Sequence, residues 1–288
     1  MSPRRIGLIA NDRKEGAGAL VSVLADAFAR HNLEFTLETR TAALIGRNTS
    51  ATSADLASSC DLLVVLGGDG TMLRVVHELD HELPPMLGIN LGTLGFLTCV
   101  SSKDWESAVE AIAAGTFQLS KRALLEVEVR SGAQVHHRRL ALNDAVVTRG
   151  ELSRLIRLNV FVDRAMLSEY NADGLIIATP TGSTAYSLSA GGPVLTPDSG
   201  AFAITPICPH VLTMRPVMVS DRSLIEVIPA AGYDDVSLTL DGQHHLRVGA
   251  DDRVRVTKAP QTLSLALLPG MSFFEVLRHK LKWSGSAV

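Results

Sequence analysis

Cysteine is scarce in this chain, which has only Cys60, Cys99 and Cys208, odd in number and far apart. No two stand at the short spacing of a zinc-ligand pair, and an odd, dispersed set makes no disulfide framework, so a reducing, cytoplasmic compartment is expected. An excess of one charge is also lacking, with 27 basic residues against 30 acidic and a net charge of -3. The charges are interspersed, without the basic stripe that neutralises a phosphate backbone, so no nucleic-acid partner is expected. The longest aliphatic run, 62–66, falls far short of the roughly 20 residues that span a bilayer. The first ten residues hold two arginines and only a short apolar stretch. Neither a membrane partner nor an export signal is expected. Internal repeats and low-complexity stretches are missing too.

What is present is enough apolar material, 46% of 288 residues, for two domains of ordinary size. Up to about residue 120, short apolar runs at 6–10, 33–37, 62–66 and 86–89 alternate with amphipathic stretches at 51–59, 72–79 and 105–114. Leu20, Val23, Leu24, Ala27 and Phe28 fall at i, i+3, i+4, i+7, i+8, the spacing of a helix face. Such alternation predicts an α/β domain, 1–120, with a Rossmann-like parallel sheet covered on both faces. From 121 the apolar period becomes two, as in Leu125, Val127, Val129 and in Ile156, Leu158, Val160, Val162. A mainly β domain is expected over 121–270. Helical spacing returns in Phe273, Phe274, Leu277 and Leu281, so 271–288 is expected to form a closing helix packed on the first domain.

The chemistry concentrates where the 62–66 run stops at Gly67-Gly68-Asp69-Gly70-Thr71 and feeds into a helix. Ligands of open α/β sheets bind at such strand ends. Glycines there let polyphosphate oxygens approach the backbone, and a helix N-terminus favours anions. The segment lacks the Gly-Lys-Ser/Thr ending of a Walker loop and the Gly-x-Gly-x-x-Gly of a dehydrogenase. Gly16-Ala17-Gly18-Ala19 also lacks the third spaced glycine of that fingerprint and reads as a helix entry. Asp69 would be repelled by phosphate unless it works on a metal ion or accepts a proton from an attacking hydroxyl; the plainer reading is a turn residue.

Farther on, an apolar strand at 174–178 runs to Pro180, followed by Thr181, Ser183 and Thr184, whose hydroxyls suit a tight turn with Ser183 or a neighbour as helix N-cap. Asn143 and Asp144 interrupt an apolar strand, which costs burial unless something bonds them. The pairs His136-His137 and His244-His245 have no Cys or Glu at ligand spacing and read as solvated or loop histidines.

Gly67-Gly68-Asp69-Gly70-Thr71 resembles the motif shared by NAD kinases, diacylglycerol kinases and phosphofructokinases. The block from Asp173-Gly174 through Thr179-Pro180-Thr181-Gly182-Ser183-Thr184-Ala185-Tyr186-Ser187-Leu188-Ser189 to Gly192-Pro193 is similar to the second motif of the NAD kinases alone. The resemblance extends over nearly the whole chain. It implies transfer of the terminal phosphoryl group of ATP, or of another donor, to the 2'-hydroxyl of the adenosine ribose of NAD, with Mg or Mn accompanying ATP. Asp69 is the implied catalytic residue, with Gly70 in the phosphate loop. Arg74 and Arg154 stand where relatives contact phosphates or the dinucleotide. Phe96 of Gly95-Phe96-Leu97 is implied beside adenine.

The pair Asn143 and Asp144, more often Asn-Glu in the family, is implied to grip ribose hydroxyls, here from a side chain one methylene shorter. Asn171 stands where several relatives carry a basic residue. Asp173, Thr181, Thr184, Ala185, Tyr186, Ser187, Leu188 and Ser189 are implied to surround the nucleotide, and Gln243 of Asp241-Gly242-Gln243 to face the substrate. Homodimers or homotetramers, with Tyr186 near a neighbour's site, are implied as well. The alternatives are a lipid or sugar kinase sharing only the glycine loop, and a dinucleotide-binding regulator without turnover.

Overall fold

Strand β1 (Arg5–Ala10) and helix α1 (Ala17–Arg30) open the chain in the order that its apolar periodicity predicts. They belong to a computed structural model that describes residues 3–79, 82–150, 155–232 and 236–283. Gly16, at φ 78°, precedes α1 as a helix entry. There follow β2 (Glu34–Leu37), α2 (Thr39–Ala43), α3 (Ser53–Ser59), β3 (Leu62–Gly67), α4 (Asp69–Leu79), β4 (Met86–Asn90), β5 (Val100–Ser101) and α5 (Trp105–Ala114). Strands β2, β1, β3 and β4 lie side by side in that order and all parallel, with Leu8 opposite both Leu37 and Val64, and Val64 opposite Leu87. Every residue of β3 and β4 is buried, which is why both read as unbroken apolar runs. Leu24 and Phe28 of α1 and Ile112 of α5 close over this sheet.

Three local expectations change. Val23 is 38% exposed on the flank of α1, and Val21 is buried instead. Helix α3 begins at Ser53, not 51, because Thr52 and Asp55 form a reciprocal capping box that fixes its start. Helix α2 was not expected, since five residues carry no readable period; the Glu38 carboxylate caps it by accepting from the Thr41 amide at 2.9 Å.

The second part of the chain is β-rich. It contains β6 (Gln118–Ser131), β7 (Gln134–Ala141), β8 (Asp144–Arg149), β9 (Ile156–Val162), β10 (Ala165–Ala172), β11 (Gly174–Ala178) and a 3-10 turn (Gly182–Thr184). Next come α6 (Tyr186–Ser189), β12 (Ala201–Ile207), β13 (Val217–Ser220), β14 (Ile225–Pro229), β15 (Val236–Leu240), β16 (His244–Val248) and β17 (Asp252–Leu267). Six strands form an antiparallel sheet in the order β13, β12, β11, β8, β15, β16. Strands β10, β9, β14 and β17 form a second antiparallel set, and β6 pairs with β7 as a hairpin. Leu125, Val127, Val129, Ile156, Leu158 and Val160 face a common core, as their period of two requires. The histidine pairs lie within β7 and β16, in strands and not in loops.

The contacts divide the chain into two compact units, Met1–Lys121 with Leu263–Val288, and Arg122–Thr262. The closing helix α7 (Phe273–Leu281) is therefore part of the α/β unit. Ser272 accepts from the Glu275 amide, and the Glu275 carboxylate accepts from the Ser272 amide, while Val276 and Leu277 are buried. Ser272→Ala should remove this cap and lower stability by about 1 kcal/mol. Hydrogen exchange read along the chain should show the gain in opening confined to the amides of α7.

Candidate functional site

In the α/β unit, β3 ends at Gly67 and α4 begins at Asp69, so the glycine loop sits at the carboxyl end of a buried strand. A Cβ placed on Gly68 or on Gly70 would meet nothing within 4 Å, so the space over the loop is open. Asp69 does not hang in that space. Its Oδ1 accepts from the amides of Leu97 and Thr98 and from the Thr98 hydroxyl, each at 3.0 Å, and its Oδ2 accepts from the Phe96 amide at 2.9 Å. Asn90 at the end of β4 donates to the Thr98 hydroxyl at 2.6 Å, which orients that hydroxyl toward the carboxylate. A Cβ on Gly95 would lie 1.9 Å from Asp69 Oδ1, so only glycine lets the loop close over the acid. Each carboxylate oxygen has about two acceptor sites, so Oδ2 keeps capacity for one further donor.

Phe96 offers its amide to Asp69, while its half-buried ring lies 6.3 Å from that of Phe273 in α7. Arg74 donates to Glu78, one turn along α4, at 2.5 Å, and Glu78 is also bonded by Ser53. Its guanidinium is thus engaged on the helix.

In the β-rich unit the Asn143-Asp144 pair does not interrupt a single strand: Asn143 lies in the corner between β7 and β8, and Asp144 is the first residue of β8. The Asp241 carboxylate, in the turn after β15, accepts from the amides of Leu142, Asn143 and Asp144 at 2.8, 2.8 and 2.9 Å. The Asp241 amide donates back to the Asp144 carbonyl at 3.0 Å. Asp241 itself sits at φ 51°, a conformation that aspartate tolerates better than most residues. Thr179, just past β11, holds the same corner through the Leu142 and Asn143 carbonyls, and a Cβ on Gly182 would lie 1.9 Å from the Asn143 oxygen.

This corner opens on a pocket of about 370 Å³ walled by Asn143, Asp144, Thr148, Tyr186, Thr239 and Asp241, with Ala185 and Gly242 beside them. The Asp144 carboxylate is buried and takes no hydrogen bond from any described residue. Burial, and then the negative charge of Asp241, push its pKa from 3.8 up to about 7. A second depression of about 420 Å³ shares Thr148 and Tyr186 with the first and is rimmed by Asp173, whose carboxylate pairs with Arg149 at 3.3 Å.

The other expected site residues divide. Thr181 is buried with its hydroxyl unpartnered among the described residues. Thr184 turns its hydroxyl back to the Thr181 carbonyl at 3.0 Å, and Ser187 is buried against the Thr205 hydroxyl at 3.0 Å. Ser183 is not a helix N-cap: it donates to the Pro180 carbonyl and accepts from the Leu195 amide, which ties down the whole turn. Leu188, Ser189, Gln243 and Asn171 line neither depression, and Asn171 accepts the His210 amide through its backbone carbonyl. Arg154 lies outside the described residues. Asp241 was missed as the organiser of the corner, as were Thr148 and Thr239 as pocket walls. The Asp-Gly turn at 241–242 was the only signal for the first, and alternation along β8 and β15 the only one for the others.

The ATP-NAD kinase N-terminal domain family matches residues 6–117, and the ATP-NAD kinase C-terminal domain family matches residues 142–268. The chain belongs to the NAD kinase family. It is 40% identical to the NAD kinase of Solibacter usitatus (strain Ellin6076) over 277 residues, 96% of each chain. It is likewise 40% identical to that of Geotalea daltonii over 281 residues, 97% of this chain and 99% of the relative. Yeast NADH kinase, solved in complex with NADH, superposes with a TM-score of 0.88 at 26% identity, covering 100% of this chain and 90% of the yeast chain. An NAD kinase from Archaeoglobus fulgidus, solved with ATP, gives a TM-score of 0.77 at 26% identity, covering 98% and 100%. NAD kinase activity and the phosphotransferase class come with membership. The lipid- or sugar-kinase alternative and the non-catalytic one fall away, because the match covers both units and not the glycine loop alone.

The Asp144 carboxyl has a consequence for stability. A folded-state pKa above the ordinary value means that the fold favours the protonated acid. Its contribution is therefore intact below about pH 4, declines as pH rises, and reaches its full cost above about pH 7. Asp144→Asn should relieve that cost, stabilising the protein near about pH 8 by at most about 4 kcal/mol and much less near about pH 5. Urea unfolding of both proteins at the two pH values measures it; an equal shift at both would show that Asp144 does not titrate in this range.

Proposed function

We propose that Asp69 orients the 2'-hydroxyl of the adenosine ribose of NAD and accepts its proton as the terminal phosphoryl group of ATP moves to that oxygen. The observation that carries this reading is the state of the Asp69 carboxylate. Three successive amides and a hydroxyl fix it at the mouth of an open glycine loop, with acceptor capacity left on Oδ2. Phosphoryl transfer through a loose transition state asks chiefly for positioning and charge neutralisation, so a rigidly held carboxylate suits the task. Gly68, Gly70 and the start of α4 receive the triphosphate, where bare backbone and a helix N-terminus favour anionic oxygens. The complexes of the yeast enzyme with NADH and of the archaeal enzyme with ATP support both substrate classes for this chain.

The Asn143-Asp144 corner and its pocket hold NAD through ribose hydroxyls, and Asp173 contributes at the neighbouring rim. Phe96 and the 181–189 turn shape the nucleotide's surroundings, Thr181 with an unspent hydroxyl and Tyr186 with an exposed ring. A divalent ion, Mg or Mn, enters with ATP. No three His, Cys, Asp or Glu side chains cluster among the described residues, and Asp69 already accepts four bonds, so the phosphates of the donor fit as the ion's principal ligands. Bound there, the ion neutralises charge on the transferring group. Action in the cytoplasm, as a homodimer or homotetramer, completes the reading.

Asp69→Asn should reduce NADP formation by at least about 100-fold while NAD affinity changes by no more than a few-fold. Steady-state kinetics beside calorimetric NAD titration separate the two effects. Retention of more than about a tenth of the wild-type kcat, a loss below about 1.4 kcal/mol, would remove Asp69 from the role of base.

A further inference from the structure

The corner pocket has a charge of one sign. Asp144 and Asp241 contribute two carboxylates to its wall, and no lysine or arginine lines it among the described residues. The two acids are not equivalent. Asp241 is hydrogen-bonded by three backbone amides and keeps its charge, whereas Asp144 is 4% exposed and has no donor from any described residue. A buried carboxylate without a donor favours a ligand that brings positive charge or a donor of its own, and repels an anion.

NAD offers such a wall a choice among chemically distinct parts. Its diphosphate is anionic and is excluded. Its adenine and riboses are neutral. Its oxidised nicotinamide ring is a cation, and on reduction that ring loses its charge with little change in size. A pocket of about 370 Å³ has room for an aromatic ring with its ribose, and the half-exposed Tyr186 ring supplies an apolar face.

From this we infer that Asp144 selects the redox state of the dinucleotide, taking the cationic nicotinamide end of NAD against its wall and discriminating against the uncharged ring of NADH. The inference rests on the reading that this pocket holds the dinucleotide, and it adds which end enters and which redox form is preferred. A buried carboxylate with its pKa raised to about 7 gives the selection a pH signature. A cationic ligand binds the ionised acid better, so preference for NAD over NADH increases as pH rises through about 7. Other titratable groups lie at the same corner: Asp241 after β15, Tyr186 on α6, and His245 on β16, with its Nδ1 3.0 Å from the hydroxyl of the pocket-lining Thr239. They are present in every variant below, so a pH response lost with the Asp144 charge belongs to Asp144.

The test is calorimetric titration of NAD and of NADH into wild type, Asp144→Asn and Asp144→Glu, at about pH 6 and about pH 8. In the wild type, NAD should bind more tightly than NADH, by a ratio that grows with pH. Asp144→Asn, close in shape but unable to ionise, should reduce the ratio by about tenfold at the higher pH and flatten its pH dependence, chiefly through weaker NAD binding. Asp144→Glu should retain the ratio, which a merely structural role would not produce. Equal weakening of NAD and NADH by Asp144→Asn would overturn the selection while leaving the pocket as a dinucleotide site. No change in either affinity, in a variant with an intact unfolding transition, would overturn both the selection and the placement of the dinucleotide.

Discussion

An aspartate carboxylate that accepts three successive backbone amides is the interaction on which both units depend. Asp69 holds the amides of Phe96, Leu97 and Thr98 in the α/β unit, and Asp241 holds those of Leu142, Asn143 and Asp144 in the β-rich unit. A loop with three consecutive inward N–H groups leaves costly unpaired donors unless one acceptor serves them all. A carboxylate, with about four acceptor sites and a full charge, is the side chain best suited to that, and charge-assisted bonds are stronger than neutral ones. The price is steric: Gly95 and Gly182 stand where any Cβ would strike the arrangement.

The same device gives the two acids different chemical characters. Asp69 is held at the edge of an open loop by four hydrogen bonds, and its Oδ2, with one of them, retains an acceptor site. Asp241 is consumed in organising its corner, and its charge falls on its neighbour. Asp144, brought into the wall by the corner that Asp241 builds, is left buried and unbonded, with its ionisation disfavoured. Structural order in the corner and electrostatic tension in the pocket thus have one origin. A site that carries such tension binds best the ligand that relieves it.

Much of this molecule is legible in the sequence because its signals are local. The 62–66 run has no polar residue because β3 is covered on both faces, and Ile156, Leu158 and Val160 alternate because β9 is covered on one. Glycines at 67, 68 and 70, directly after a buried strand, mark a strand-to-helix loop, and in the fold Gly68 and Gly70 leave its backbone open while Gly67 makes room for Thr71. What failed was either too short for a period, as in α2, or set by a cap, as in the start of α3. The 181–189 block is a clear motif, yet three of its six hydroxyls are bonded within the fold. Ser183, Thr184 and Ser187 bond to the backbone or to Thr205, because a tight turn uses them to satisfy its own groups.

The sequence by itself determined the two kinds of sheet, the glycine loop with its acid, and the family, since each depends on residue type and spacing along a few dozen positions. Only the tertiary structure decided the partners of those residues. That Asp69 is anchored by residues 27 to 29 positions away, and that Asp241 reaches back 97 to 99 positions to the Leu142–Asp144 corner, cannot be read from either segment, because hydrogen bonds between distant loops leave no periodicity. The same holds for Asp144. Its carboxyl is ordinary in sequence, and its unusual ionisation follows from burial beside a second acid that folding alone brings near.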